Sequence, residues 1–483
     1  MRNNHGRSRV VAATMIVPLL AFHAYAAQPS DATPLQDGIA VQDVVPANGA
    51  GYPMPSSFIY KVTDPGVMDL TMQLTPTARQ VYPRFTVQIM HGRELLFDYV
   101  LDTDLGSYLF FPVLERGNYQ VFVRGSMAKA PFTLQLRRLK VEVTEQDKTA
   151  VLAAIEKGTA NLLSTTPSKT NDPLAFAPAI ESLVMAALDS DRSGAHQEVI
   201  EKEYLPWLKN QFHEVPMVQW NGQTVSGLTR AGSPMYCNAI TTLALAEMAP
   251  RSPAAKALAE QGANFILAAQ LTDRRPAAWR AILKTNPSFG GWRYTANAAD
   301  ADLSVSGWCV IALNACAAAD IQPDGMRESL QDAVGFVKKT RTKDGFAYYA
   351  GGGGGAATIR DAIGALVFQL YGEHSREWDA AVGSLDHHLF AGTQADDIED
   401  FPLYYAYYAT RLHYLRGSDA WEAWRMSAMR QLVKLQRPDG SWGTYHQEVD
   451  AGTQRYPTAL AILILRMCLN DEPTYMTQEV RGF

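Results

Sequence analysis

The sequence predicts a two-part α+β chain, an N-terminal antiparallel β-sandwich over residues 56–144 followed by an (α/α)6 toroid over residues 145–473. Three observations predict it. Short runs of alternating apolar and polar residues fill the first part, as in Arg84-Phe85-Thr86-Val87-Gln88-Ile89 and Tyr119-Gln120-Val121-Phe122-Val123. From residue 145 the periodicity turns helical, and twelve helix-length segments follow. A turn carrying glycine and an aromatic residue recurs between those segments.

The strands come first. Runs at 57–62, 84–89, 119–123 and 132–136 are separated by turn signals such as Asp64-Pro65-Gly66, His91-Gly92-Arg93 and Arg116-Gly117-Asn118. Evenly spaced period-2 runs divided by Gly, Pro and Asn form antiparallel sandwiches. The expected helices lie near 148–163, 174–189, 197–212, 234–249, 254–270, 302–317, 326–340, 357–371, 377–390, 401–415, 419–436 and 456–469. They alternate between a mixed, charged kind and a small, apolar kind. Helices apolar all round are buried, and amphipathic ones cover them. Six such pairs bury both kinds in a closed arrangement whose inner ring is the apolar set. An open superhelical array is the alternative.

Residues ahead of the strands read as a secretory leader and a linker. Arg2, Arg7 and Arg9 precede an apolar stretch at 10–22, and Ala24-Tyr25-Ala26 is a small-x-small cleavage site, so residues 1–26 read as a signal peptide. The apolar stretch falls short of the roughly 20 residues that span a bilayer. Residues 27–55, rich in Pro, Gly and Ala, read as a linker, and 474–483 as a C-terminal tail. The expected location is periplasmic or secreted, with no transmembrane segment after cleavage. Removing the three leader arginines takes the 43 basic residues to 40 against 49 acidic ones, a net charge of −9. That balance argues against nucleic acid as a partner. Cys237, Cys309, Cys316 and Cys468 all sit in apolar helical runs, where buried free thiols are expected instead of a disulfide framework.

The recurring turn carries a resemblance. Gln436-Arg437-Pro438-Asp439-Gly440-Ser441-Trp442 resembles the Gln-x-x-x-Gly-x-Trp repeat of squalene and terpenoid cyclases. A related form has Arg341 in place of Gln, then Gly345-Phe346; a third splits between Gln270 and Gly290-Gly291-Trp292. The resemblance covers residues 147–470 and implies the α/α toroid shared by terpenoid cyclases and protein prenyltransferases. Residues 115–121 resemble the Gly-x-Tyr-x-Val strand of bacterial accessory jelly-roll domains. Physically, Gly accepts φ > 0 in the turn, the aromatic packs over it, and Gln is expected to bond the helix-end carbonyls.

Each toroid family implies residues that can be sought here. Squalene–hopene cyclases protonate an alkene with an Asp-x-Asp-Asp box. Asp300-Ala301-Asp302-Leu303 resembles it, with Asp302 at the donor position and Leu303 replacing the last carboxylate. Such a donor must be an unusually strong acid. The competing reading makes Asp302 the N-cap of the helix that follows. Prenyltransferase β subunits hold zinc with Asp, Cys and His; here Ser304 and Pro457 stand where the last two would fall, so no zinc and no cofactor is expected. Cys237 lies in no segment resembling the thioester of complement-like toroids. The glycine run at 351–355 lacks the Lys-Ser/Thr of a phosphate loop. Adjacent His387 and His388 point in different directions on a helix and make a poor metal pair. Asp397 and Asp400, in an acidic stretch before an aromatic helix, are either helix-terminus acids or a glycosidase-type carboxylate pair.

Tyr236, Trp292, Tyr294, Trp308, Tyr348, Tyr404, Tyr445 and Tyr456 gather near inner-helix starts. They are the candidate lining for an apolar small molecule, a glycan or a protein ligand in the toroid cavity. The expected function is ligand binding without terpene chemistry. The rivals are a cyclase using Asp302 with Asp300, and a carbohydrate-active enzyme using acids at 396–400.

Overall fold

The structure is a computed structural model, and it describes residues 32–44, 46, 48, 53–63, 66–74, 85–92, 94–101, 107–113, 116–125, 131–164, 176–229, 233–275, 285–343, 345–352, 359–386, 402–443 and 454–469. The expected leader, the tail, Asp397, Asp400 and Tyr445 lie outside the described residues.

Among the described residues nine strands come first: β1 (Thr33–Leu35), β2 (Ala40–Val44), β3 (Ser56–Val62), β4 (Gly66–Leu74), β5 (Phe85–His91), β6 (Glu94–Leu101), β7 (Ser107–Val113), β8 (Gly117–Gly125) and β9 (Pro131–Leu139). They form a five-stranded sheet, β1-β3-β8-β5-β6, and a four-stranded sheet, β2-β9-β4-β7. All pairs are antiparallel except β1 with β3. Alternate residues are buried, as period 2 dictates: Phe58, Tyr60 and Val62 on β3, and Phe132, Leu134 and Leu136 on β9. Phe58 meets Phe132 edge-on at 6.2 Å, one ring from each sheet.

The linker reading needs correction, because residues 33–44 supply a strand to each sheet. Asp37 holds the crossing: Tyr60 Oη donates to its Oδ1 at 2.8 Å and Arg138 N at 2.6 Å. Gly38, at φ +70°, turns there and donates to Leu136 O. Edge strands are often short, which is why composition alone read this stretch as linker.

The helices are α1 (Glu145–Leu163), α2 (Ala177–Asp189), α3, α4 (Pro234–Met248), α5 (Pro253–Ala269), α6 (Leu303–Ala318), α7 (Met326–Lys339), α8 (Ile359–Leu370), α9 (Arg376–Asp386), α10 (Pro402–Arg416), α11 (Ser418–Leu435) and α12 (Arg455–Cys468). α3 joins Gln197–Val199, a π-helical piece Ile200–Tyr204 and Leu205–Gln211. A hairpin that helical periodicity did not predict, β10 (His213–Trp220) with β11 (Gln223–Gly227), follows α3.

Contacts among the even-numbered helices form a cycle. α2 packs on α4, α4 on α6, α6 on α8, α8 on α10, α10 on α12, and α12 returns to α2. α5, α7 and α11 each lie against two neighbouring members of this ring, while α1 covers α12 and α2. Every residue of α6 is buried, as are all of α2 after its first, so the ring must have protein on both sides. All four cysteines are buried and free.

The recurrent turns join the outer helices. Gln436 Nε2 donates to Gly440 O at 2.9 Å and to Ala154 O of α1 at 2.7 Å. Gln270 Nε2 likewise donates to Gly290 O at 2.7 Å and to Ser329 O of α7 at 2.8 Å. The glutamine therefore ties its turn to the next outer helix and leaves its own helix end alone, because both residues leave the helix in extended conformation. The indole caps that end instead: Trp442 Nε1 donates to Leu432 O at 2.8 Å and Trp292 Nε1 to Ile266 O at 2.7 Å. Each aromatic N–H is met by a side chain of the next inner helix, Ser306 for Trp292, Asp361 for Phe346 and Thr458 for Trp442. Gly290, Gly345 and Gly440 all have positive φ, and at Gly440 a Cβ would lie 2.4 Å from Lys157 O.

Ion pairs cross where the last helices meet the first, two of them with short hydrogen bonds. Arg455 grips Glu181 at 2.9 and 2.6 Å and also donates to Leu162 O and Tyr204 Oη, so this buried pair has its hydrogen bonds met. Arg430 holds both oxygens of Asp147 at 2.9 Å. Burial raises the Asp147 carboxyl, but Arg430 and Thr144 outweigh it and hold it down to about 2. This lowered value means the pair stabilises the fold above the ordinary aspartate range and fades as pH falls toward 2.

Trp442 is 2% exposed and fills the space beside Gly158. Trp442→Ala should cost about 3–5 kcal/mol in denaturant unfolding, the usual penalty for emptying a large buried site. A much smaller loss would show that the turn is not what secures the helices.

Candidate functional site

The inner helices begin at one end of the ring, and their first turns carry the residues singled out above. Tyr236 opens α4, Ser304 α6, Tyr404 α10 and Tyr456 α12. Contacts bring these starts together: Tyr236 Oη lies 2.5 Å from Ser304 Oγ, Trp308 Nε1 donates to Tyr404 Oη at 3.0 Å, and Leu303 N donates to Tyr348 O at 2.8 Å.

Asp302 stands at the centre of this end as the N-cap of α6. Its Oδ1 accepts from Ser304 N at 2.9 Å, Val305 N at 3.2 Å and Ser304 Oγ. Its own N–H donates to Trp292 O, which ties the cap to the neighbouring turn. Oδ2 faces Arg293 Nη1 at 3.5 Å. The side chain is 2% exposed. Burial pushes its carboxyl upward, against the pull of Ser304, Val305 and Arg293. Asp300, largely exposed, meets Arg293 Nε at 3.7 Å.

Around this cap runs a continuous ladder of flat groups. Phe176 meets Tyr236 at 6.4 Å, and Tyr236 stacks on Tyr294 at 5.8 Å. The Arg293 guanidinium lies 4.5 Å from the Tyr294 ring and 4.9 Å from that of Tyr349. Tyr349 neighbours Tyr348, over which Arg360 sits at 5.3 Å. Phe176, Tyr294 and Tyr349 are 37%, 37% and 45% exposed, so their rings are open to a visiting molecule. Burial raises the phenols of Tyr236, Tyr294 and Tyr404 above their ordinary value, which keeps them neutral hydrogen-bonding groups near pH 7.

Deeper in the ring the aromatics pack on one another. Trp308 stacks on Tyr407 at 5.4 Å and meets Tyr408 edge-on at 5.2 Å. Arg411 lies over Tyr407 at 4.2 Å with Glu247 3.6 Å away, and burial pushes the Glu247 carboxyl up despite that arginine. Trp308, Tyr407, Tyr408 and Arg411 are all buried, so this layer is a floor beneath the tyrosine-lined end.

The candidate aromatics thus divide. Tyr236, Tyr294, Tyr348, Tyr404 and Tyr456 are partly exposed at the open end. Trp292 and Trp308 are fully buried, and the reading of both as ligand-contacting residues is corrected: one caps α5 and the other belongs to the floor. Sequence reasoning missed Phe176 and Arg293. Arg293 directly follows a repeat tryptophan, but a search for acids and aromatic clusters passes over a lone cation. Among the described residues, no group of three or more His, Cys, Asp or Glu is placed to hold a metal ion. Nor is any described helix long and apolar enough to cross a membrane.

Neither a sequence family nor a curated protein matches the chain. Among solved structures it is similar to the type II terpene cyclase MstE from Scytonema, determined in complex with its substrate geranylgeranyl dihydroxybenzoate. The two are 16% identical with a TM-score of 0.42, over 68% of this chain and 100% of that one.

The geometry of Asp302 predicts a pattern of substitutions. Asn caps nearly as well as Asp, so Asp302→Asn should keep the unfolding midpoint close to wild type, whereas Asp302→Ala should lose about 1 kcal/mol. Equal losses in the two variants would place the stabilisation in the Arg293 pair instead of the cap.

Proposed function

We propose that this chain is an exported β-sandwich joined to an (α/α)6 toroid of the terpenoid-cyclase and prenyltransferase kind. It binds an apolar or polymeric ligand, or a segment of a protein partner, at the open tyrosine-lined end of the ring, without terpene chemistry. The two facing sheets and the cyclic helix contacts support the architecture. The basic, apolar and Ala-Tyr-Ala segments of the first 26 residues support export and a periplasmic or secreted location.

One observation carries the non-cyclase reading: Asp302 serves as the N-cap of α6. Oδ1 takes two backbone N–H groups and a hydroxyl, a pattern that favours the carboxylate over the acid. Leu303 occupies the position of a supporting carboxylate, and Arg293 favours the charged form further. Phe176, Tyr294 and Tyr349 then offer ring faces to an apolar surface, with phenol and guanidinium groups for orientation.

A cyclase using Asp302 is the second reading, favoured by the burial that pushes its carboxyl up. Two measurements separate them. The protein purified from the cell envelope should carry a bound ligand detectable by mass spectrometry. The Tyr294→Ala/Tyr349→Ala double variant should retain it roughly tenfold less well, at about 0.5–1.5 kcal/mol per ring. Incubation with squalene and shorter polyprenyl substrates should yield no cyclised product. Products that form with wild type and vanish with Asp302→Asn would establish the cyclase.

A further inference from the structure

The loop between Trp292 and Asp302 bears Arg293 and Tyr294 of the aromatic ladder, and residues 293–300 lie in no helix or strand. Such a segment has no regular partner for its main chain, so its carbonyls need donors from elsewhere. Met235 N supplies one, donating to Tyr294 O at 3.1 Å. Ala296 O and Ala298 O both look to a single side chain, Arg275.

Arg275 follows the turn at the end of α5 and is 5% exposed. Its Nη2 donates to Ala296 O and its Nη1 to Ala298 O, each at 2.8 Å. On the other side Nε donates to Gln270 O at 2.9 Å, and Nη2 also to the O of Ala269, the last residue of α5. The planar fork thus holds the loop against a helix end whose carbonyls carry partial negative charge. Burial lowers the guanidinium to about 10, which leaves it charged at neutral pH, and charged donors make the stronger hydrogen bonds.

What the fork orients is the ladder. Tyr294 stacks on Tyr236 at 5.8 Å, and Arg293 reaches Tyr349 at 4.9 Å and Asp302 at 3.5 Å. The bond from Asp302 N to Trp292 O sets where the loop begins and ends. Arg275 acts on the course between them.

We propose that Arg275 is a positioning residue of the ring opening: buried behind the loop, it holds residues 293–300 in the course that presents the Tyr294 ring and the Arg293 guanidinium to a visiting molecule. This rests on the reading that the tyrosine-lined end binds an apolar ligand.

A double-mutant cycle on the full chain tests it, read by fluorescence titration with N-phenyl-1-naphthylamine, a neutral apolar probe. Wild type should bind the probe, and the pair Arg293→Ala/Tyr294→Ala should weaken binding. Arg275→Met, which removes every donor and keeps an unbranched stem, should weaken it roughly fivefold in the wild-type chain. In the paired background it should change little, because a residue acting through those two side chains has nothing left to act on. Arg275→Lys keeps the buried charge with fewer donors and should weaken binding roughly twofold. It carries the test if the Met variant does not fold, as judged by circular dichroism melts. Absence of probe binding, or binding unaffected by the pair, overturns the ring-opening reading and this inference with it. Where the pair does weaken binding, wild-type affinity in the folded Arg275 variants, or a loss as large in the paired background as in wild type, overturns the positioning role alone. Unfolding of both Arg275 variants would make the residue a support of the fold at large, and overturns it as well.

Discussion

The helical part of this protein depends on one repeated device, an indole N–H that caps the end of an outer helix. The last carbonyls of any helix lack intrahelical partners. Here Trp292 and Trp442 supply one from a side chain that also fills the gap between layers. A glutamine then reaches across to the next outer helix, and a hydroxyl or carboxylate of the next inner helix takes the backbone N–H of the aromatic. Each turn therefore joins three helices. A buried hydrogen bond is worth about 1 kcal/mol net, but leaving its partner buried and unmet costs more, so such a turn resists piecemeal loss. At the third turn Phe346 has no side-chain N–H to give, and Arg341 Nε instead donates to Lys338 O.

The same device builds the site. Asp302 N is bonded to Trp292 O, and Ser306 on the following turn of α6 meets Trp292 N. Asp302 is thus part of the joint that fixes the start of an inner helix, and the aromatic ladder grows from residues adjoining such joints: Arg293 and Tyr294 after Trp292, Tyr348 and Tyr349 after Phe346. Turns that secure the ring also deliver rings and guanidinium groups to its open end.

Much of this was legible in the residues because it rests on period and turn chemistry. The alternation of apolar and mixed helices, the three glycine turns and the capping role of Asp302 all follow from local pattern. What escaped was non-local. The strands at 33–35 and 40–44 are held by Asp37 bridging Tyr60 and Arg138, contacts between residues far apart in sequence. The β10–β11 hairpin sits between helices and carries Gln219 and Trp220 in a weak alternation that a helical frame obscures. The burial of Trp292 and Trp308 could not be told from exposure by composition, since an aromatic at a helix start suits either place.

Closure of the ring through these turns is the central claim, and hydrogen exchange on Trp442→Phe tests it most directly. Phenylalanine keeps a ring in the turn and deletes only the N–H that caps α11 at Leu432. Because Gln436, Thr458 and Ala154 join that turn to α12 and α1, amide exchange should accelerate together across α1, α11 and α12. Acceleration confined to residues 436–443, with α1 and α12 protected as before, would contradict the account.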